Sequence, residues 1–313
     1  MVNRIKHLLI TGASGFVGRS VIDFLSGLPL DQRPKMVTLV SRSRIGNLSE
    51  ETNARLKIHH IQADLLDKWN FDRSVTHILQ LAADGSKNPY GQRASDDFIM
   101  FTRRLIEWLD TLSQKPVVMH VSSGACFGYF PLKANGVQNL PSNIGLSNNW
   151  SKAGFVEGRL QAERLLRQAC DKFEFDLKVA RLYSFIGEHI QGKIQYAVPS
   201  FISMAKNSGT IQLTGDPMTI RSYLSAHDMS EWIFAALRSD QELPILSIGS
   251  SISVRMIDLA EFIAKQFSAS VVLSDQYEVG DMYFADNEQS KELLKVDETI
   301  SWQQAILDLT YGL

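Results

Sequence analysis

The apolar run His7-Leu8-Leu9-Ile10 breaks at once into Thr11-Gly12-Ala13-Ser14-Gly15-Phe16-Val17-Gly18, and no other stretch constrains the fold as tightly. It sets a strand, a glycine-rich turn and the start of a helix in direct succession. Residues without a Cβ let backbone approach a pyrophosphate, and the free N–H groups of a helix's first turn face it. The helix dipole favours negative charge there, and the third glycine permits close helix–strand packing. Two residues separate each pair of glycines, unlike the G-x-G-x-x-G of many dehydrogenases. A glycine triplet by itself is a common structural turn. Its place after the first strand makes it a candidate dinucleotide cradle.

Four further apolar runs continue the pattern: Met36-Val37-Thr38-Leu39-Val40, Ile58 to Ile61, His77-Ile78-Leu79-Gln80-Leu81 and Val117-Val118-Met119-His120-Val121. Helical spacing lies between them, with Val21, Phe24, Leu25 and Leu28 in Ser20 to Leu28, then Phe98, Phe101, Leu105 and Trp108 on one face. Strands alternating with helices imply a parallel sheet with right-handed crossovers and ligands at the strands' carboxyl ends. The glycines, Asp64, Ala82-Ala83 and Ser122-Ser123 all fall at such ends. Beyond about residue 185, glycines and prolines punctuate shorter segments, as in a lobe built from insertions. Gly209 to Tyr223 reads as strand, turn and strand, and Asp297 to Leu309 as a terminal helix with Ile300, Trp302, Ile306 and Leu309 inward. A chain of 313 residues is long for one core. The expected fold is α/β, a doubly wound parallel sheet of the Rossmann type with a smaller C-terminal substrate lobe. Residues 1–184 form the dinucleotide-binding domain, segments at about 220–250 return to it, and 185–313 form mainly the lobe.

A net charge of −2 gives no general reason to expect nucleic acid or an anionic membrane as partner. Cys126 and Cys170 lack metal-ligand spacing and read as reduced thiols, so no metal is expected. Arg4, Lys6 and the apolar run resemble the start of a signal peptide, but the glycine turn cuts that run short. A cytoplasmic location is the expectation.

Thr11–Gly18, Asp64-Leu65, Leu81-Ala82-Ala83, Val121-Ser122-Ser123 with Phe127-Gly128, and Arg181-Leu182-Tyr183-Ser184 occur in the order seen in extended short-chain dehydrogenase/reductases. Gly215-Asp216, Arg221-Ser222-Tyr223 and His227-Asp228-Met229 continue the match. The chain resembles the NAD-dependent epimerase/dehydratase branch of that family, whose members mostly modify nucleotide-linked sugars. The resemblance implies that Gly12, Ser14, Gly15, Phe16, Val17 and Gly18 hold a pyrophosphate, and that Asp64 and Leu65 contact the adenine. It places Leu81, Ala82 and Ala83 along the ribose near the nicotinamide. Asp64 also reads as a plain strand-end turn residue.

NAD-preferring members place an acid at the end of the second strand, where it accepts from ribose hydroxyls. Here the strand ends Val40-Ser41-Arg42-Ser43-Arg44, without a carboxylate. A guanidinium fork and serine hydroxyls suit a 2′-phosphate, which favours NADP(H) over NAD(H), the alternative being a solvated basic loop.

Family chemistry implies a serine or threonine, a tyrosine, and a lysine four residues after it. Ser123 takes the serine position. The helix around Phe155-Val156-Glu157-Gly158-Arg159, with Glu163 one turn on, places Phe155 at the tyrosine and Arg159 at the lysine. A second register through Ser151-Lys152 recovers the lysine but puts Asn148 at the tyrosine. Loss of a positioned acid or base commonly costs about 10²–10⁴ in rate. Tyr129, Tyr183, His189, His227 or a water held by Ser123 are substitutes, each with a structural reading beside it. Cys126 reads as a buried small side chain rather than a nucleophile. The family's dehydratases carry an acidic pair after the serine, whereas Gly124 and Ala125 follow Ser123 here, so dehydration is not expected.

In the substrate lobe the resemblance puts Arg221 on a nucleotide diphosphate, with Lys193, Pro199 and Phe201 along the nucleoside pocket. An ion pair between Arg221 and Asp228 is the competing reading. The leading expectation is an NADP(H)-linked nucleotide-sugar epimerase or 4-keto-sugar reductase with an altered acid/base. The alternative is a catalytically silent NADP(H)-binding sensor or partner protein. By resemblance a homodimer through two sheet-flanking helices is expected.

Overall fold

The computed structural model describes residues 5–43, 45–46, 48–82, 92–128, 130–131, 153–190 and 192–312. Its first strands are β1 (His7–Thr11), β2 (Met36–Ser41), β3 (Ile58–Gln62), β4 (His77–Gln80) and β5 (Val117–Ser123). Then come β6 (Phe130–Pro131), β7 (Leu177–Leu182), β8 (Phe185–Ile186), β9 (Thr210–Leu213), β10 (Ile220–Ser222) and β11 (Leu224–Ser225). The last are β12 (Leu246–Ile248), β13 (Ser253–Arg255), β14 (Ser270–Leu273) and β15 (Asp281–Tyr283). The helices are α1 (Phe16–Gly27), α2 (Glu50–Leu56), α3 (Gln92–Asp110), α4 (Ala153–Phe173), α5 (Ala197–Ser208), α6 (Ala226–Arg238), α7 (Met256–Gln266), α8 (Glu288–Leu294) and α9 (Trp302–Tyr311).

Seven parallel strands form the main sheet in the order β3-β2-β1-β4-β5-β7-β12. The chain reverses direction across the sheet between β1 and β4, so the glycine turn after β1 sits at the topological switch point. Side chains alternate across β1. Leu8 and Ile10 join Val21, Ile22 and Leu25 of α1 and Trp232 and Ile233 of α6 on one face. Leu9 joins Phe101, Leu105 and Trp108 of α3 and Leu166 of α4 on the other. Burying each large side chain of this kind contributes about 1.5–3 kcal/mol, which makes the sheet a rigid platform. The residues at about 220–250 carry α6 and β12, and β12 extends the sheet beside β7.

The later segments pack around Phe201, Ile211, Leu259, Ile263 and Ile306. Gly209 to Tyr223 is strand, turn and strand as expected, but the two strands do not pair with each other. β9 pairs with β14, whereas β10 pairs with β13 and β15, so the two strands belong to different sheets. The terminal helix begins at Trp302 rather than Asp297, because Ser301 caps it by accepting from the Gln304 N–H. Asp297 instead pairs with Lys291 at 2.5 Å. The first helix starts at Phe16, within the glycine turn as expected. No described helix is long and apolar enough to cross a membrane.

Candidate functional site

A cavity of about 820 Å³ runs from the glycine turn to the C-terminal lobe. At one end lie Gly12, Gly15, Phe16, Val17 and Gly18. Gly12 adopts φ +68°, and a Cβ there would stand 2.8 Å from the Ala82 nitrogen. A Cβ on Gly18 would lie 2.7 Å from the Ala13 Cα, so this glycine lets α1 pack onto its own turn. Gly15 is the N-cap of α1 and supplies no side-chain cap, and the helix has no acid in its first turn. The cavity end of α1 therefore offers backbone N–H groups and the positive end of the dipole, without a competing carboxylate.

Leu81 also borders the cavity, while Ala82 is buried behind Gly12 and Ala83 lies outside the described residues. Ser14 is exposed at the turn and does not border the cavity. Neither do Ser41, Arg42, Asp64 and Leu65. The Ser41 hydroxyl donates to the Ser43 carbonyl at 2.6 Å and bonds His60 Nε2 at 2.8 Å. Arg42 is exposed, and its carbonyl accepts from Gln62. Asp64 accepts from the Leu66 N–H at 3.0 Å in a tight turn, and Leu65 is buried.

Ser123, Phe155 and Arg159 meet at the middle of the cavity. Ser123 ends β5 and its hydroxyl accepts from the Ala125 N–H at 3.2 Å, opening the 3-10 turn Gly124–Phe127. Phe155 and Arg159 share one face of α4, a turn apart. The Arg159 guanidinium donates to the Val121 carbonyl at 3.4 Å and lies over the Phe98 ring, 3.6 Å from its centroid. The Phe155 ring is 5.0 Å away. Burial pushes the Arg159 pKa down to about 10, which leaves it a cation at neutral pH.

A buried ion pair holds α4 on the sheet, and a second buried polar pair lies within the sheet itself. Glu163 takes both prongs of the Arg181 guanidinium, at 3.1 and 2.7 Å, and accepts from Ser122 at 2.5 Å. His120 shares a hydrogen bond with Gln80 Oε1 at 2.9 Å, and burial, with Arg159 nearby, pushes its pKa down to about 3. Gly158 makes the neighbouring contact possible, since a Cβ on it would lie 2.8 Å from the Ser95 side chain. This close approach of α3 to α4 brings Phe98 under Arg159. In the sequence Phe98 is an apolar helix position, and no local pattern marks it as an arginine platform.

The proposed substitutes for the missing phenol are not all here. Tyr183 borders the cavity, but its hydroxyl bonds Ser247, its ring packs on Tyr283, and burial pushes its pKa up to about 12. His189 pairs with Asp23 and, with His227, borders a separate cleft beyond α1. His227, Asp228 and Glu231 come together, but the Asp228 carboxylate is committed to Thr299 and to the Ile300 N–H. Cys126 touches Ser122 at 3.7 Å and burial pushes its pKa up, as befits a packed thiol. Tyr129, Asn148, Ser151 and Lys152 lie outside the described residues.

At the lobe end stand Lys193, Pro199, Phe201, Asp216 and Arg221. Arg221 pairs with Asp281, 2.6 Å away, and donates to its carbonyl at 3.1 Å. That corrects the expected partner. The parallel pairing of β10 with β15 brings Asp281 alongside, while Asp228 is buried beneath residues 299–300.

A family model for the NAD dependent epimerase/dehydratase family matches residues 8–249. A trifunctional UDP-glucose 4,6-dehydratase/UDP-4-keto-6-deoxy-D-glucose 3,5-epimerase/UDP-4-keto-L-rhamnose-reductase of Arabidopsis thaliana is 25% identical over 96% of this chain. The chain spans only 46% of that protein. Among solved structures, the UDP-N-acetylglucosamine 4-epimerase of Methanobrevibacter ruminantium superposes with a TM-score of 0.78 at 19% identity, over 98% of each chain. A UDP-glucuronic acid 4-epimerase of Bacillus cereus, solved as a tyrosine-to-phenylalanine variant with NAD and a fluorinated UDP-sugar, gives 0.75 at 19% identity, over 98% of this chain and 99% of its own. The match across most of the chain, on a doubly wound sheet with its glycine turn at the switch point, places this protein in the NAD dependent epimerase/dehydratase family.

Proposed function

We infer that the chain is an NADP(H)-linked nucleotide-sugar enzyme, a 4-keto-sugar reductase or epimerase, working with an altered acid/base. One observation carries the reading. A single cavity joins the uncapped start of α1, the Ser123–Phe155–Arg159 cluster and the lobe's Lys193 and Arg221. A nicotinamide cofactor, when bound, supplies or accepts the hydride. Gly12, Gly15 and Gly18 would hold its pyrophosphate, and Arg42 with Ser41 its 2′-phosphate. Arg159 takes the ribose hydroxyls and stabilises negative charge developing on the substrate oxygen. The Ser123 hydroxyl can still donate a hydrogen bond to that oxygen, because the turn uses only its lone pair. Phe155 has none to give, so the proton comes from water. The guanidinium of Arg221 and the Lys193 ammonium suit the diphosphate of a nucleotide sugar. The UDP-sugar names of the relatives and the keto-reductase named in the Arabidopsis protein support this substrate class. Residues 1–184, with α6 and β12, serve the cofactor, and the rest of 185–313 the sugar nucleotide. A homodimer through two sheet-flanking helices would follow the family resemblance, and sedimentation equilibrium tests it.

Phe155 favours a second reading, a cofactor-binding sensor or partner without hydride chemistry. The two separate by following NADPH absorbance with a panel of nucleotide 4-keto-sugars, for wild type and for Phe155→Tyr combined with Arg159→Lys. Turnover by the wild type defeats the sensor. Silence in both, despite tight NADPH binding, defeats the enzyme. Binding without turnover that the double change restores identifies a decayed catalyst.

A further inference from the structure

Arg159 brings a positive charge to the middle of the cavity. No carboxylate pairs with it among the described residues, and its contacts are a carbonyl and two phenyl rings. Glu163, one turn on, acts on Arg159 only as a charge beyond ion-pair distance, its oxygens being committed to Arg181 and Ser122. His120 and Cys126 both remain neutral near pH 7, since burial lowers the pKa of the first and raises that of the second. A tyrosine at 155 would bring an ionisable phenol beside the guanidinium, and phenylalanine brings none. At the lobe end, Arg221 has Asp281 for a partner, and the Asp216 carboxylate accepts from the Met218 and Gly280 N–H groups.

The nicotinamide ring is cationic when oxidised and neutral when reduced, and the remainder of the dinucleotide is the same in both. Resting on the cofactor reading above, we propose that the unpaired Arg159 guanidinium makes this site selective for the reduced form of the cofactor. Contacts to the pyrophosphate and the 2′-phosphate cancel in the comparison. What remains is the repulsion between Arg159 and the oxidised ring. Like unit charges about 12 Å apart, at an effective dielectric of about 20, shift such a ratio by about tenfold, and a closer approach shifts it further. A site biased this way suits reduction of a keto-sugar. It is ill suited to epimerisation through a ketone, which must begin by oxidising a sugar carbon with the oxidised cofactor.

Calorimetric titration of the full chain with NADPH and with NADP+, at one fixed salt concentration, tests the proposal. The expected result is a Kd for NADPH about tenfold below that for NADP+. The ratio should persist in Arg159→Lys, which keeps the charge, and fall towards one in Arg159→Gln. Should Arg159→Gln fail to fold, Phe155→Tyr gives the second reading. Its phenol, ionising beside Arg159, should shrink the ratio as pH rises through its titration. Equal or tighter binding of NADP+ by the wild type overturns the proposal. So does a ratio that neither Arg159→Gln nor Phe155→Tyr changes. In either case binding itself leaves the cofactor reading standing. Failure of both forms to bind overturns that reading and the proposal with it.

Discussion

Gly12 and Gly15 stand three residues apart in one turn, yet alanine should act on them in opposite ways. At Gly12 the backbone is left-handed, and a Cβ would lie 2.8–2.9 Å from backbone atoms of Leu81 and Ala82, which cannot rotate away. A left-handed alanine costs about 1–2 kcal/mol, and forcing β1 from β4 adds about 1–3 kcal/mol. Gly12→Ala should therefore lose about 2–5 kcal/mol, or about 4–10 °C in Tm at roughly 2 °C per kcal/mol for a chain of this size. Gly15 has φ −75° and ψ 171°, which alanine adopts freely, and its Cβ would meet only the Gly12 carbonyl, at 3.2 Å. Its stability loss should stay within about 1 kcal/mol, the scale of exchanging N-cap residues. The new methyl would occupy the place where a pyrophosphate approaches the first turn of α1. NADPH affinity should then fall at least about tenfold, since a phosphate kept from such N–H groups forfeits charge-assisted bonds. Differential scanning fluorimetry and NADPH titration on both variants check this. Unchanged NADPH binding by Gly15→Ala, or an unfolded Gly15→Ala beside an intact Gly12→Ala, would refute the reasoning.

Other expectations follow from the same geometry. Glu163→Ala strands Arg181 without its partner in a buried site, so unfolding in urea should show a loss of about 3–5 kcal/mol, and an unchanged midpoint contradicts this. Burial holds the folded pKa of His77 near 4 and of His120 near 3, below the 6.5 of an unfolded histidine. The unfolded chain therefore binds more protons below about pH 6.5, and stability should be full above that pH and fall as pH drops towards 4. Melting curves that stay flat over that range would count against both neutral assignments. Arg42→Ala should weaken NADPH binding about tenfold or more and leave NADH nearly unchanged, and an equal loss for both would remove the 2′-phosphate role.

The main sheet was legible because each early strand is a short apolar run and each helix a periodic one. The glycine turn was legible because its three glycines do different local jobs that spacing alone encodes. What escaped depends on elements far apart in sequence. Phe98 meets Arg159 only because Gly158 lets α3 and α4 close on each other. Arg221 faces Asp281 because β15 pairs beside β10, sixty residues later in the chain. The two strands of Gly209–Tyr223 were legible, but their pairing was not, since each finds its partner beyond residue 250. Serine caps, as at Ser301, decide helix starts more sharply than apolar periodicity does.

A structure of the full chain crystallised with NADPH is the most direct measurement. The expected density puts the pyrophosphate on Gly12, Gly15 and Gly18 and the nicotinamide ribose within reach of Ser123 and Arg159. NADPH bound elsewhere, or a cavity that stays empty at saturating NADPH, would contradict a cofactor cradle that outlived its tyrosine.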